Sequence, residues 1–391
     1  MRDLFGEIDD ELKPFLKWPG GKTKELKVIL PNLPERIDNY YEPFIGGGAV
    51  YFAVNKAKRY YINDKSKDLI DLYQCIKSEN NNDLTDTLTK IDDYWQRLDK
   101  TFENNKLTFI ASFNALRKVG EFDLKRCISE IIESQFSVLT ETMNDVFDFD
   151  LPCYKKELKV NLVRKMTRMR EIEQEKGLLC GSDIDANILT AIKSSFYMYF
   201  RHLYNKPEKY NIPPIIFSAI YFFIRNYTYS GMFRYNAAGE FNVPYGGIGY
   251  NGNSLDKKIK YIASKELQGR LVKTDIENSD FYNFMKSKNT KENDFMFLDP
   301  PYDTEFSTYD QNEFTPNDQK RLADFLIHET NCKWMLVIKN TGFIHGLYDK
   351  TGIYIHYFDK SYNVSFMNRN DKQTEHLMIT NYEINHHIRL D

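Results

Sequence analysis

The stretch Tyr40–Asp64, YYEPFIGGGAVYFAVNKAKRYYIND, decides the fold. It reads as a strand, a glycine-rich turn, a helix, a second strand and an acid at that strand's end. A strand–helix–strand unit of this kind implies parallel pairing through a right-handed crossover. Gly46, Gly47 and Gly48 permit positive φ and let a ligand approach the backbone closely. Asp64 lies at about the 20-residue spacing at which an acid meets a ribose hydroxyl pair in nucleoside-binding α/β folds. Alone, the triplet also reads as a tight turn; Asp64 tips it toward a nucleoside. No Gly-Lys-Ser/Thr follows, which sets a P-loop nucleotidase aside.

Further along, FMFLDPPYDTEF (Phe295–Phe306) runs four apolar residues into an acid, two prolines and a tyrosine. The apolar run predicts a strand buried on both faces. The prolines end it, because neither can donate to a sheet ladder. Asp299 and Tyr302 then stand past the carboxyl end of a central strand, where ligands bind in open α/β sheets. The chemistry there suits an aromatic exocyclic amine, whose lone pair is delocalised into its ring. A carboxylate (Asp299) and a carbonyl (Pro300) accepting its two N–H bonds favour a more tetrahedral, nucleophilic nitrogen. Tyr302 can stack on the base, and Pro300 and Pro301 hold the group with little reorganisation.

Composition narrows the class. The 391 residues suggest two domains or one domain with a large insertion. A formal charge of −3 gives no global basic signature, so a nucleic-acid partner needs a local patch. The five cysteines, at 75, 127, 153, 180 and 332, form no CxxC pair. A reducing cytoplasm is expected, with neither a disulfide framework nor a metal centre. The charged N-terminus shows no signal-peptide core, and PPIIFSAIYFFI is too short to span a bilayer.

The α/β pattern of residues 1–77 gives way to helical periods such as LTKIDDYWQRLDKTF, DLKRCISEIIESQFSVL and ILTAIKSSFYMYFRHLY. It returns near residue 270 with strands at DFMFLD, WMLVIK, GIYIHYF and HLMITNY. The expected organisation is a discontinuous catalytic domain, 1–77 with 270–391, split by a helical and recognition insertion, 78–269. Between Lys155 and Lys176 the insertion holds eight basic and four acidic residues. That run reads as a solvated helix face or, alternatively, as a phosphate-contacting helix through Arg164, Lys165, Arg168 and Arg170. The loop-rich segment 225–250 favours binding, though the NAAGEF turn also fits an ordinary hairpin.

With these residues in hand, the chain resembles the DNA adenine-N6 methyltransferases of the Dam type, the D12 class. The matching stretches are FLKWPGGK, YYEPFIGGGAVYF, YINDKSKDLI, FNVPYGG, NSDF, LDPPY, FTPNDQKRLADFL and EHLMITNY. The resemblance implies a Rossmann-like methyltransferase sheet with an inserted, mostly helical DNA-recognition domain. It also implies S-adenosyl-L-methionine as donor and double-stranded DNA as substrate, with a cognate restriction endonuclease as a functional partner. Carried over by position, Trp18 and Lys22 meet the methionine carboxylate, and Phe44 with Gly46–Gly48 flanks methionine and adenosine. Asp64 takes the ribose, and Asp280 with Phe281 the cofactor adenine. Asp299, Pro300, Pro301 and Tyr302 hold the flipped target base, and Tyr309 is a further aromatic that could receive it. Ser230, Met232, Arg234 and Pro244 lie in the target-recognition hairpin, with Arg234 placed to read a guanine. Ser230 departs from the family's usual Asn, and the segment between Asp64 and the hairpin is longer than in compact members. A cytosine-N4 or other planar-amine methyltransferase and a non-catalytic DNA-binding module remain the alternatives.

Overall fold

The computed structural model describes residues 12–78, 81–118, 125–133, 146–302, 314–360 and 374–384. The N-terminal leader reading, Tyr309 and the SQFSVL end of one expected helix lie outside the described residues. The chain divides into two compact units. One comprises the described residues of 1–78 and 262–391, the other those of 79–261.

The first unit is built on seven strands: β1 (Asn39–Glu42), β2 (Arg59–Asn63), β3 (Thr274–Glu277), β4 (Phe295–Leu298), β5 (Lys333–Lys339), β6 (Tyr354–Lys360) and β7 (Thr374–Thr380). Their order is β3-β2-β1-β4-β5-β7-β6. The first five pair in parallel, and β7 runs antiparallel between β5 and β6. All four residues of β4 are buried, as a central strand covered on both faces requires. One face carries the Lys67–Lys77 helix, which buries Leu69, Ile70, Leu72, Tyr73 and Ile76. The Pro316–His328 helix starts with a reciprocal capping box between Thr315 and Asp318 and Pro at its first turn. Its Leu322, Phe325 and Leu326 join Met296, Leu298, Trp334, Leu336 and Leu377 in one apolar cluster. Fully burying each such side chain contributes roughly 1.5–3 kcal/mol.

The sheet unit resumes at residue 262 rather than 270. The Lys265–Val272 helix leads directly into β3, and its Gln268 amide donates to the Ile76 carbonyl at 3.0 Å. That bond links stretches far apart in sequence, so the local pattern could not place the boundary.

The second unit is helical. Its long helices are Asn81–Lys118, Leu151–Lys176, Gly181–Tyr204 and Pro214–Tyr227, with residues 125–133 also helical. Aromatic rings fill its centre: the Trp95 ring lies 5.6 Å from Phe223, 4.5 Å from Tyr227 and 5.5 Å from Tyr245. PPIIFSAIYFFI falls on the Pro214–Tyr227 helix, and no helix among the described residues is long and apolar enough to cross a membrane.

Candidate active site

The strand order reverses between β1 and β4, which are neighbours in the sheet. Chain leaving β1 turns toward β2, while β4 lies on the other side, and a crevice opens at their carboxyl ends. On the β1 side, Gly46 and Gly48 have φ of +45° and +72°. A Cβ at Gly46 would stand 2.7 Å from Trp18 Nε1, and one at Gly48 would stand 2.7 Å from the Tyr73 hydroxyl. Only glycine fits beneath this half-buried indole. The Gly46 N–H donates to Asp64 Oδ2 at 3.0 Å, and the Ser66 N–H to Oδ1 at 3.0 Å. Burial pushes the Asp64 carboxyl above its ordinary range, and the backbone N–H groups of Ser66 and Gly46 partly offset this.

On the β4 side, the Lys22 ammonium is buried and forms an ion pair with Asp299. It also donates to the Gly20 carbonyl at 3.1 Å and to the Tyr302 hydroxyl at 3.3 Å. Those three bonds use all three of its protons. Lys22, which the resemblance sets at a cofactor carboxylate, here meets Asp299 and Tyr302. The Pro301 carbonyl accepts from the buried Gln319 amide at 2.9 Å, which fixes the second proline from the neighbouring helix. Tyr302 meets His376 Nε2 at 3.2 Å. At the end of β1, Glu42 is buried beside this group and accepts from the Tyr40 hydroxyl. Burial pushes its carboxyl well above the usual range; Tyr40 opposes the rise and nearby Asp299 adds to it. Glu42, Gln319 and His376 had no role in the sequence reading. The acid in YYEPF was the one local hint.

Between these two sides stands an aromatic wall. The Phe44 ring lies 5.3 Å from Phe281 and 5.6 Å from Phe314, with Phe281 and Phe314 5.2 Å apart. Asp280 caps the Phe281–Ser287 helix, accepting from the Tyr282 N–H at 3.0 Å, and Arg321 donates to the same oxygen at 3.0 Å. The structure thus gathers Trp18, Lys22, Phe44, Gly46, Gly48, Asp64, Asp280, Phe281 and Asp299–Tyr302 within the sheet unit.

Ser230, Met232, Arg234 and Pro244 lie in the helical unit, on a hairpin-like loop bridged at Thr228–Tyr245 and Tyr235–Phe241. The Tyr229 N–H donates to the Pro244 carbonyl at 3.0 Å. Asn236 turns the tip by accepting from the Ala238 and Glu240 N–H groups at 3.0 and 2.9 Å. Arg234 is exposed, and its Nε donates to Asn242 Oδ1 at 3.1 Å. Ser230 is exposed with φ +52°, a left-handed conformation that Asn adopts more readily.

The basic run is only partly a free face. On the Leu151–Lys176 helix Arg168 pairs with Glu171, Arg164 donates to Asn161, and Lys165 is half-buried with its pKa lowered by burial. Elsewhere in that unit Asp150, Cys153 and His202 bring donor atoms within 4.8 Å of one another. Asp150 there caps its helix and accepts from Tyr210, while Lys209 donates to the same phenol. Burial and Asp150 push the Cys153 thiol up to about 11.

Several proteins named as methyltransferases are similar to this chain. The type II methyltransferase M.MjaIII of Methanocaldococcus jannaschii is 26% identical over 356 residues, covering 87% of this chain and 89% of that one. The type II methyltransferase M.CviBI of Paramecium bursaria Chlorella virus NC1A is 24% identical over 376 residues, covering 95% and 100%. The DNA adenine methylase of Escherichia coli K12 is 22% identical over 320 residues, covering 80% and 74%. The family profile of the D12 class N6 adenine-specific DNA methyltransferases matches residues 18–364, a span that holds both sides of the crevice, and the chain belongs to that family.

Proposed function

We propose that this chain transfers a methyl group from S-adenosyl-L-methionine to N6 of an adenine turned out of double-stranded DNA at a specific sequence. The observation that carries this reading is the position of Asp299 at the carboxyl end of β4, next to the glycine loop of β1 and ion-paired with a buried Lys22.

The residues beside the glycine loop fit the donor. Gly46 and Gly48 leave backbone where any side chain would collide, and Asp64 keeps a second lone pair on each oxygen for a hydroxyl pair. Phe44, Phe281 and Phe314 offer faces to a purine, Asp280 an acceptor beside them, and Trp18 an indole N–H near the loop. When bound, S-adenosyl-L-methionine supplies an electrophilic methyl.

The chain's own residues then act on the amine. Asp299 and the Pro300 carbonyl accept the two N6–H bonds and direct the nitrogen lone pair out of the ring plane. Pro300 and Pro301 hold those acceptors, with Gln319 anchoring the Pro301 carbonyl. Tyr302 stacks on the base, which must leave the duplex to arrive. Lys22 orients the carboxylate through one oxygen, and the amine takes Asp299 at the other. Burial and the neighbouring Asp299 both disfavour a charge on Glu42.

In the hairpin, Asn242 orients Arg234, whose outward guanidinium edge suits guanine O6 and N7. Ser230, Met232 and Pro244 flank it. Three relatives carry type II names, which supports a restriction-modification role alongside a cognate endonuclease; relatives from Lactococcus lactis and Escherichia phage P1 support a bacterial or phage setting, with the cytoplasm as the site of action. Calorimetry with S-adenosyl-L-methionine tests the donor assignment: the native chain and Asp299→Ala should bind it, and Asp64→Ala should bind about tenfold or more weakly. Equal binding by Asp64→Ala would remove that residue from the ribose.

A further inference from the structure

We propose that His376 is a positioning residue for methyl transfer, acting through the hydroxyl of Tyr302. The inference rests on the reading of Tyr302 as the ring that stacks on the target base.

His376 sits near the start of β7, fully buried, opposite Lys339 of β5 and Phe358 of β6. Because β7 runs antiparallel to β5, this end of β7 lies at the carboxyl edge of the sheet, beside the crevice. Its strand neighbours Leu377, Met378 and Ile379 are apolar and buried. An imidazole in such a row costs desolvation unless it is hydrogen-bonded. The Tyr302 hydroxyl supplies that bond to Nε2 at 3.2 Å, and the two rings meet edge to face, 5.7 Å apart at 70°.

Lys22 donates to the Tyr302 oxygen at 3.3 Å and has no lone pair with which to accept. With the Tyr302 hydroxyl donating to Nε2, His376 acts as the acceptor in the tautomer protonated on Nδ1. The phenol is held from both sides, by a donor (Lys22) and an acceptor (His376), and its ring plane is fixed before any base arrives. Asp299 hangs on the same ammonium. A chain of contacts, His376–Tyr302–Lys22–Asp299, thus sets the stacking ring and the amine acceptor relative to each other. An apolar residue at 376 would remove the bond to Nε2 and loosen the ring on that side.

The test measures methyl transfer to unmethylated plasmid DNA, together with S-adenosyl-L-methionine affinity, in the full chain. His376→Leu should lower kcat about five- to tenfold, the loss of one hydrogen bond, with cofactor affinity unchanged. Gln places an acceptor oxygen near the position of Nε2, so His376→Gln should restore the rate to within about twofold. Tyr302→Phe should reproduce the loss without touching the imidazole, and His376→Leu added to Tyr302→Phe should cost nothing more. A full rate in Tyr302→Phe, an equal loss from His376→Leu with or without the hydroxyl, or a fall in cofactor affinity alongside the rate would overturn the proposal. Tyr302→Ala separates this from the reading beneath it. Unimpaired transfer by Tyr302→Ala would remove the stacking role itself, whereas a slow Tyr302→Ala beside a normal His376→Leu would defeat only the positioning role.

Discussion

The buried Lys22 ammonium and the partly exposed Asp299 carboxylate form an ion pair across 277 residues of sequence. Lys22 has 3% of its side chain exposed and Asp299 has 21%. Removing one partner of such a pair leaves the other uncompensated. Lys22→Met should therefore lower kcat by about tenfold or more. Combined with Asp299→Asn it should cost less than the sum of the two separate losses, by roughly 0.5–3 kcal/mol of coupling. Additive losses would show that the two groups act independently.

Gly46 is the position where a single methyl does most harm. Its φ of +45° and the Trp18 nitrogen 2.7 Å from the added carbon both oppose a side chain. The backbone strain alone costs roughly 1–2 kcal/mol. Gly46→Ala should weaken S-adenosyl-L-methionine binding in calorimetry while leaving the hairpin unit folded. Gly249→Ala, where open space surrounds the added carbon, should bind normally.

Arg234 should govern sequence choice rather than rate. A bidentate guanine contact discriminates by about 1–3 kcal/mol, whereas phosphate contacts carry no base preference. Methylation of duplexes substituted one base pair at a time should show Arg234→Ala relaxing selectivity at one guanine position. Uniform loss across the set would make it a phosphate contact, and no change would make it a surface arginine.

The helical unit carries a pH-dependent brace. Arg117 on the Asn81–Lys118 helix donates through Nε and Nη2 to Glu173 on the Leu151–Lys176 helix, at 2.8 and 2.5 Å. The Arg117 guanidinium holds the Glu173 carboxyl below its ordinary value of 4.5, with burial opposing and the Leu179 N–H assisting. A depressed folded value means the stabilisation is complete above the unfolded value and is lost as pH falls below it. Glu173→Gln should lower stability at pH 7 by about 1–3 kcal/mol and by much less near pH 3, followed by helical circular dichroism in urea. An equal loss at both pH values would contradict the assignment.

The parts of the site legible in the sequence are those carried by short, contiguous stretches. Tyr40–Asp64 contains a strand, its turn, its helix and the acid of the next strand. Phe295–Tyr302 contains a buried strand and the prolines that end it. What escaped depends on pairing across the chain. His376 reads as one polar residue in an apolar strand until the antiparallel β5–β7 register brings it to Tyr302. Gln319 reads as a polar surface position on an amphipathic helix, yet it is buried against Pro301. That Lys22 reaches Asp299 and Tyr302 is likewise a matter of the fold, since 277 residues separate it from Asp299. In the basic run, charge counting could not tell that Lys165 is half-buried or that Arg168 is tied to Glu171.

The most direct test is nucleoside analysis of plasmid DNA recovered from a methylation-free host expressing either the native chain or Asp299→Ala. N6-methyladenine at one recurrent sequence with the native chain, and none with Asp299→Ala, is the predicted result. N4-methylcytosine in place of N6-methyladenine, or undiminished N6-methyladenine with Asp299→Ala, would contradict the account.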